Sequence, residues 1–507
     1  MTPALIFLAA LAAYFPALHG YYLHTDDYLD THWGGFSRDS ILLRYGALGR
    51  PLTGFLLCLG SHITSIAAMN AVRFGTVVEL SVFGWLIFRW LRMWRVSPLP
   101  ALMASVMVLT LPPFQSYVAF AILMPAGLAA AVAMAALFQA YRATRSRAPL
   151  GPGAFAMLLL MISLCLYQPV ALLFLAMLAA PVVLSDSSSF IKDWRKPLLI
   201  YGTILFSAML VYYFLWRMWL LAYDVRMGPG YDARSMVTDY AGRLLWFVTD
   251  PLFEAANFWA IWPSPLIAVI TALLVAIGIG ADFVEACEGK GRSSAANFAA
   301  KYAVVLLLVP ASYGINLASA APSAEYRTYP ALSTVLLVVA LLWACRRVSG
   351  SALPRSRNAL LAGTFSMLAL AGIFEAHRTV DEYFVRPDTA EFEHVKALIA
   401  NYVQAKGMPK SIHVILLPLG RHSALQRSEF GAMTLQHLEN VRPAVDAALQ
   451  ELGIDRKIPV SLGYPANPGL WFQYETQFRG TALLSFRVPA DASGNVLIID
   501  RSTFPDM

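Results

Sequence analysis

Long apolar stretches separated by short polar ones run from the first residues of the chain as far as Phe374 and then stop. Stretches such as TILFSAMLVYYFLWRMWLLAY (203–223) and LIAVITALLVAIGIGA (266–281) approach the ~20 apolar residues that a helix needs to cross ~30 Å of hydrocarbon. The pattern predicts spans at about 3–18, 71–91, 98–112, 117–140, 152–167, 169–184, 197–220, 263–281, 302–318, 329–345 and 358–374. The expected fold is therefore an all-α polytopic membrane protein of about eleven transmembrane helices occupying residues 1–375.

The Lys and Arg residues between these stretches predict an orientation. They cluster at Arg89, Arg92 and Arg95; at Arg142, Arg145 and Arg147; at Lys192, Arg195 and Lys196; at Lys290, Arg292 and Lys301; and at Arg346, Arg347, Arg355 and Arg357, in loops expected to be cytoplasmic. The intervening LPPFQSY, LYQP and SAAPSAEYRTYP are almost free of Lys and Arg and should face outward. The first stretch lacks a basic n-region, so it reads as a retained first helix with a cytoplasmic N-terminus.

That alternation holds only if PLTGFLLCLGSHITSIAA (51–68) does not cross. It is broken by Gly54, Gly60, Ser61 and His62, and it reads as an interfacial or re-entrant helix. Residues 19–70 then form one long outward loop, in which Ile41, Tyr45 and Leu48 share a helical face. A second outward loop, 221–262, mixes Trp, Phe and Tyr with charges and suits a helix at headgroup level.

Past Phe374 the pattern becomes that of a small extracytoplasmic α/β domain, 376–507. DTAEFEHVKALIANYVQAKG has helical spacing at Phe392, Val395 and Leu398 and a Gly stop. SIHVILLPL and NVLIID read as strands, and AMTLQHLENVRPAVDAALQELG as a helix. Glu429 and His413 have no nucleophile, base and orienter around them at a recognisable spacing, so recognition or packing is the expected role of this domain.

Composition narrows the partners. With 58% apolar and 14% charged residues, the chain is too apolar for a soluble enzyme of 507 residues. The net charge of +7 sits in short loops where topology accounts for it, so no nucleic-acid partner is expected. Cys58, Cys165, Cys287 and Cys345 show no metal-ligand spacing, and a disulfide framework is not expected.

The strongest candidate chemistry lies in HTDDYLD, directly after the first span. Asp26, Asp27 and Asp30, beside His24, place three carboxylates within about one helical turn, where they share a proton, bind a cation or meet an arginine. One of them could serve as a general base; a solvated acidic loop is the plain alternative. Arg50, in GRPL, offers a planar fork of donors to a phosphate oxygen, or anchors the chain to lipid headgroups. In AEYRTYP, Glu325, Tyr326 and Arg327 stand in an outward turn where Arg327 is the only cation, facing either an anionic ligand or Glu325 itself. Arg73 and Glu79 within the second span and Arg217 at the end of the seventh are ionisable groups at depths that usually imply a polar cavity, although Arg217 could snorkel outward.

A short first helix, DDYLD at its outer end, a long first outward loop with interfacial helices and GRPL closing that loop together resemble GT-C-type integral-membrane glycosyltransferases. Within that class the chain is most similar to the O-antigen-modifying glucosyltransferase group of phage and bacteria, over about residues 1–95 and the Arg327 turn. The resemblance implies transfer on the periplasmic side of a bacterial inner membrane, from a sugar on polyprenyl phosphate to a glycan acceptor. It implies Asp26 or Asp27 as the base, with Asp27 able instead to bind acceptor or a divalent metal, and Arg50 and Arg327 as ligands of the donor phosphate. The C-terminal α/β domain departs from the class.

The chemistry is coherent without the name. Arginines stabilise the departing phosphate, a carboxylate takes the proton of the incoming hydroxyl, and attack opposite the leaving group inverts the anomeric carbon. A transporter or flippase for lipid-linked glycans would show internal repeats, and the two halves show none. A polysaccharide polymerase or ligase would not need acids beyond the first helix, and a membrane scaffold gives Glu79 and those acids no role.

Overall fold

The computed structural model describes residues 2–24, 27, 37–60, 63, 65–225, 239–259, 265–288, 292–319, 325–349, 355–415, 438–454, 458–463 and 496–500. Five described helices are long and apolar enough to cross a membrane: Thr2–His19, Ile66–Met93, Ala121–Arg145, Phe190–Ala222 and Pro265–Val284. Pro98–Leu109 and Pro112–Ala119, bent by 57°, make a sixth if taken as one broken span, and four shorter apolar helices accompany them. Their outer faces are apolar as lipid requires: Phe206, Met218 and Leu221 of the Phe190–Ala222 helix are 68%, 65% and 75% exposed. The chain is thus a membrane-embedded, predominantly helical protein.

Local sequence explains where the helices start. Ser65 caps Ile66–Met93 by accepting the Ala68 N–H at 3.2 Å, and Pro98, Pro112 and Pro125 open helices at positions where the missing N–H costs nothing. Small residues let the helices approach: Ala129, Ala130, Ala133, Ala136 and Ala140 are buried on one helix, and Ser163 donates to the Ala129 carbonyl at 2.9 Å. The Pro51–Gly60 helix has ten residues, ~15 Å, about half of what a crossing needs. Just before it, the Arg38–Ala47 helix buries Ile41 and Tyr45, with Leu48 half-buried at its end.

One expectation is corrected. LPPFQSY is helical rather than a turn. The chain breaks at Thr110–Leu111, and Pro112–Ala119 continues as a helix in which every residue is buried, followed by a 3-10 turn at Ala121–Leu123. The boundary placed at residues 375–376 falls inside helix: Arg355–Val380 runs through a π-helical turn, Asp381–Val385, directly into Arg386–Lys406.

Among the described residues, the C-terminal part builds a three-stranded parallel sheet of order β2-β1-β3 from β1 (Ser411–Ile415), β2 (Val460–Gly463) and β3 (Val496–Asp500). Gly407, at φ +78°, ends the Arg386–Lys406 helix, whose buried face is Phe392, Val395 and Ile399, with Leu398 only half-buried. That core also takes in Leu23, Ile66, Met69 and Ala121, so the sheet and its helices are seated on the end of the bundle where the first loop begins. Glu429 and the side chain of His413 lie outside the described residues.

The opposite end of the bundle is tied separately. Lys301 and the Tyr302 hydroxyl both donate to Asp282 Oδ2, at 2.9 and 2.6 Å, and the same ammonium reaches the Ser185 carbonyl at 3.0 Å.

Candidate functional site

Residues 110–123, buried without exception, are the hub on which the candidate site is assembled. Burying a broken helix in a membrane protein requires partners for its freed backbone groups, and the first loop supplies them. The Ile122 N–H donates to Asp27 Oδ1 at 3.0 Å, and the Ala119 carbonyl accepts from the Tyr22 hydroxyl at 3.0 Å and from Arg73 Nε at 3.4 Å.

Asp27 is fully buried. Its Oδ2 accepts the His24 N–H at 3.2 Å and faces Arg73 Nη2 at 3.4 Å. Arg73 is equally buried and spends every nitrogen: Nη2 also reaches the Tyr22 carbonyl at 3.0 Å, Nη1 reaches Asn70 Oδ1 at 2.9 Å, and the guanidinium carbon lies 3.9 Å from the Tyr22 ring centroid. Burial pushes the Asp27 carboxyl above the usual carboxylate range, while the Arg73 charge and the two N–H donors pull the other way. Both oxygens of Asp27 thus face N–H donors. Among the described residues no three His, Cys, Asp or Glu side chains gather as metal ligands. Asp26 and Asp30 lie outside the described residues.

His24 joins this cluster from the other side. Its ring stacks on Phe120 at 4.0 Å and 9°, meets Phe384 edge-on, and brings Nδ1 to 2.6 Å from Asp388 Oδ2.

The arginines expected to bind phosphate converge on the same segment through tyrosines. The Arg50 guanidinium lies 4.2 Å over the Tyr167 ring and Nε donates to Gln168 Oε1 at 2.8 Å, which leaves both terminal amino groups without a hydrogen bond among the described residues. Tyr167 packs edge-on against Tyr117 at 5.8 Å, and the Tyr117 hydroxyl donates to the Arg327 carbonyl at 2.8 Å. Arg327 Nε pairs with Glu325 at 2.5 Å, both about a quarter exposed, and Tyr326 beside them is buried.

No family model and no curated protein matches the chain. The site therefore stands on its geometry.

Glu79 lies six residues beyond Arg73 on one helix, ~9 Å along its axis, and faces Gly127, where an added Cβ would stand 2.7 Å from Oε2. Arg217 is half-buried on Phe190–Ala222, next to Trp216, whose indole donates to the Ala47 carbonyl at 3.1 Å.

Gln168, Tyr212, Tyr117, Tyr167 and Asp388 are the residues that sequence reasoning passed over. Gln168 Nε2 holds the Leu48 carbonyl and the Tyr212 hydroxyl at 2.7 and 2.9 Å, and Tyr212 in turn donates to the Gly49 carbonyl at 2.8 Å. A polar YQP inside an apolar stretch was the available signal. Gly49 itself sits at φ +75°, and a Cβ there would strike the Tyr212 hydroxyl and come within 2.8 Å of Gln168 Nε2. Gly49→Ala is expected to cost about 1–2 kcal/mol from backbone strain alone, read as a lower melting temperature in detergent. It should also loosen the seat of Arg50.

Proposed function

We propose that the chain is an inverting glycosyltransferase of the inner membrane, moving a sugar from a polyprenyl-phosphate donor to a hydroxyl of a cell-surface glycan or related acceptor. In this reading it has about eleven spans, a cytoplasmic N-terminus, and its first loop and C-terminal α/β unit on the periplasmic side. One observation carries it: the buried segment 110–123 holds a first-loop carboxylate and its arginine at Ile122 and Ala119 and, through Tyr117 and Tyr167, reaches Arg327 and Arg50. A phosphate-leaving, hydroxyl-attacking reaction needs an acid group and an anion seat so disposed.

Arg50 would take the donor phosphate with its two uncommitted amino groups, held flat by Tyr167 and fixed at Nε by Gln168. Arg327, already neutralised in part by Glu325, would add a second donor as charge grows on the departing phosphate. The acceptor oxygen bonds to the anomeric carbon as the carbon–oxygen bond to phosphate breaks, and the hydroxyl proton passes to a carboxylate. Asp27 is committed to structure on both oxygens, so the base falls to its chain neighbour Asp26, with Asp27 fixing the turn.

Membranes containing the chain, given a labelled polyprenyl-phosphate sugar and a glycan acceptor, test the proposal. Arg50→Ala is expected to raise the donor KM about 10- to 100-fold, as for losing hydrogen bonds to a charged group worth about 1.5–3 kcal/mol. No transfer by the native chain to any hydroxyl acceptor would overturn the reading.

A further inference from the structure

At the end of the bundle away from the sheet, the helices Ile66–Met93 and Met124–Arg145 finish and Phe190–Ala222 begins. These ends carry nine basic residues, three each in 89–95, 142–147 and 192–196, and Asp193 is the one acid in those stretches. Among the described residues, none of the nine is matched to a carboxylate in an ion pair. We propose that this junction binds the headgroup of an anionic phospholipid, whose phosphate is taken by Arg95, Arg145 and Arg195 around a platform of aromatic rings. Such a site would stand whether or not the chain transfers sugars.

A topology signal needs only loops of the right sign, and each loop could hold its charge by itself. Here the charges are gathered. The Trp94 and Trp194 rings stack at 6.0 Å and 28°, and Tyr141 meets Trp94 edge-on at 5.6 Å, so the three helix ends share one aromatic cluster. Arg95 and Arg195 directly follow the two tryptophans in the chain, and the Arg145 guanidinium carbon lies 5.4 Å from the Tyr141 ring centroid. All three arginines are exposed. A ring face steadies a guanidinium without consuming its N–H groups, which remain available to phosphate oxygens.

The backbone at Arg95 points the same way. Ile66–Met93 ends in a Schellman turn: the Val96 N–H donates to the Leu91 carbonyl at 3.2 Å and the Arg95 N–H to the Arg92 carbonyl at 3.1 Å. That turn puts Arg95 at φ +63°, where glycine is the usual occupant and an L side chain is strained. Stopping the helix needs no charge at this position, whereas an anion site gains one, and strain of this kind is kept where function uses the residue. A lipid rather than a soluble phosphate suits the surroundings. Met93, Leu150 and Ile191, close to the basic residues in the chain, are 40%, 85% and 44% exposed, and acyl chains below a bound headgroup would cover them.

The full chain, purified in detergent, is titrated with phosphatidylglycerol, with phosphatidylcholine and with the water-soluble headgroup glycerophosphoglycerol, and native mass spectrometry counts what is bound. Phosphatidylglycerol should bind at least about ten-fold more tightly than phosphatidylcholine, and the free headgroup far more weakly than either. Arg95→Gly should weaken phosphatidylglycerol about five-fold, as for one basic side chain at a headgroup. It should nevertheless melt no lower than the native chain in lipid-free detergent, because glycine accepts φ +63° without strain. Arg145→Gln and Arg195→Gln should act about as strongly, whereas Arg355→Gln, in another basic loop, should stay within about two-fold of native. If Arg95→Gly does not accumulate, Arg95→Asn, which also tolerates this backbone, carries the same expectation for binding. Equal affinity for the two lipids, or an equal loss in Arg355→Gln and the Arg95 variant, overturns the site and leaves the charges as a topology signal. Glycerophosphoglycerol bound as tightly as the lipid would overturn it in favour of a soluble phosphate.

Discussion

Asp27→Ala is expected to destabilise the protein by about 3–5 kcal/mol, the usual cost of stripping one partner from a buried ion pair. Arg73 would stay behind, fully buried on Tyr22, with its remaining contacts made to carbonyls and an amide oxygen that cannot neutralise it. The Ile122 and His24 N–H groups, both on buried residues, would lose their acceptor as well. Asp27→Asn should be milder but still harmful, because one side of the amide is a donor and every neighbour it meets is also a donor. Melting in detergent and the fraction recovered as a monodisperse species measure both. A melting temperature for Asp27→Ala equal to the native value would show that the pair is not the anchor of the first loop.

What the sequence made legible follows from which forces are local. Apolar length depends on a single stretch and its flanks: the spans expected at 71–91 and 197–220 lie within the described helices Ile66–Met93 and Phe190–Ala222, and the one expected at 263–281 is described from residue 265 on, in Pro265–Glu288. The shortness of the Pro51–Gly60 helix was legible in the same way, in the glycines and polar residues that break this apolar stretch. Residues 112–119 were not. Two prolines in a charge-free stretch read as a turn at the surface, and only packing against the first loop, whose side chains satisfy the broken backbone, makes burial affordable there.

The candidate site divides along the same line. Arg73 was visible because a charge at that depth demands a partner, and Asp27 because acids crowd there, but their pairing needs the fold. Tyr117 and Tyr167 look like ordinary members of apolar stretches; their hydroxyl and ring faces matter only because the Arg327 carbonyl comes to Tyr117 from 210 residues away and Arg50 comes to Tyr167 from the start of another helix. Asp388 was hidden more completely. It begins a helix as acids often do, and nothing in its neighbourhood in the chain hints that the helix runs back to the first loop.

Asp26→Asn carries the other large effect. The two neighbouring aspartates are proposed to divide the work: Asp27 spends its oxygens on Ile122, His24 and Arg73, so it holds the turn, and Asp26 is left to meet the acceptor hydroxyl. Removing a general base typically costs 10²–10⁴ in rate, about 3–5 kcal/mol of barrier, and the isosteric amide leaves shape and packing alone. Asp26→Asn should therefore accumulate and melt like the native chain, bind donor with a KM within a few-fold of native, and lose kcat by about 10²–10⁴. This is the converse of Arg50→Ala, which touches the donor phosphate and should act on KM, and of Asp27→Ala, which acts on the fold. Measuring kcat, KM and melting for the three variants side by side assigns each residue by the quantity it moves. Native turnover in Asp26→Asn would take the base from that residue.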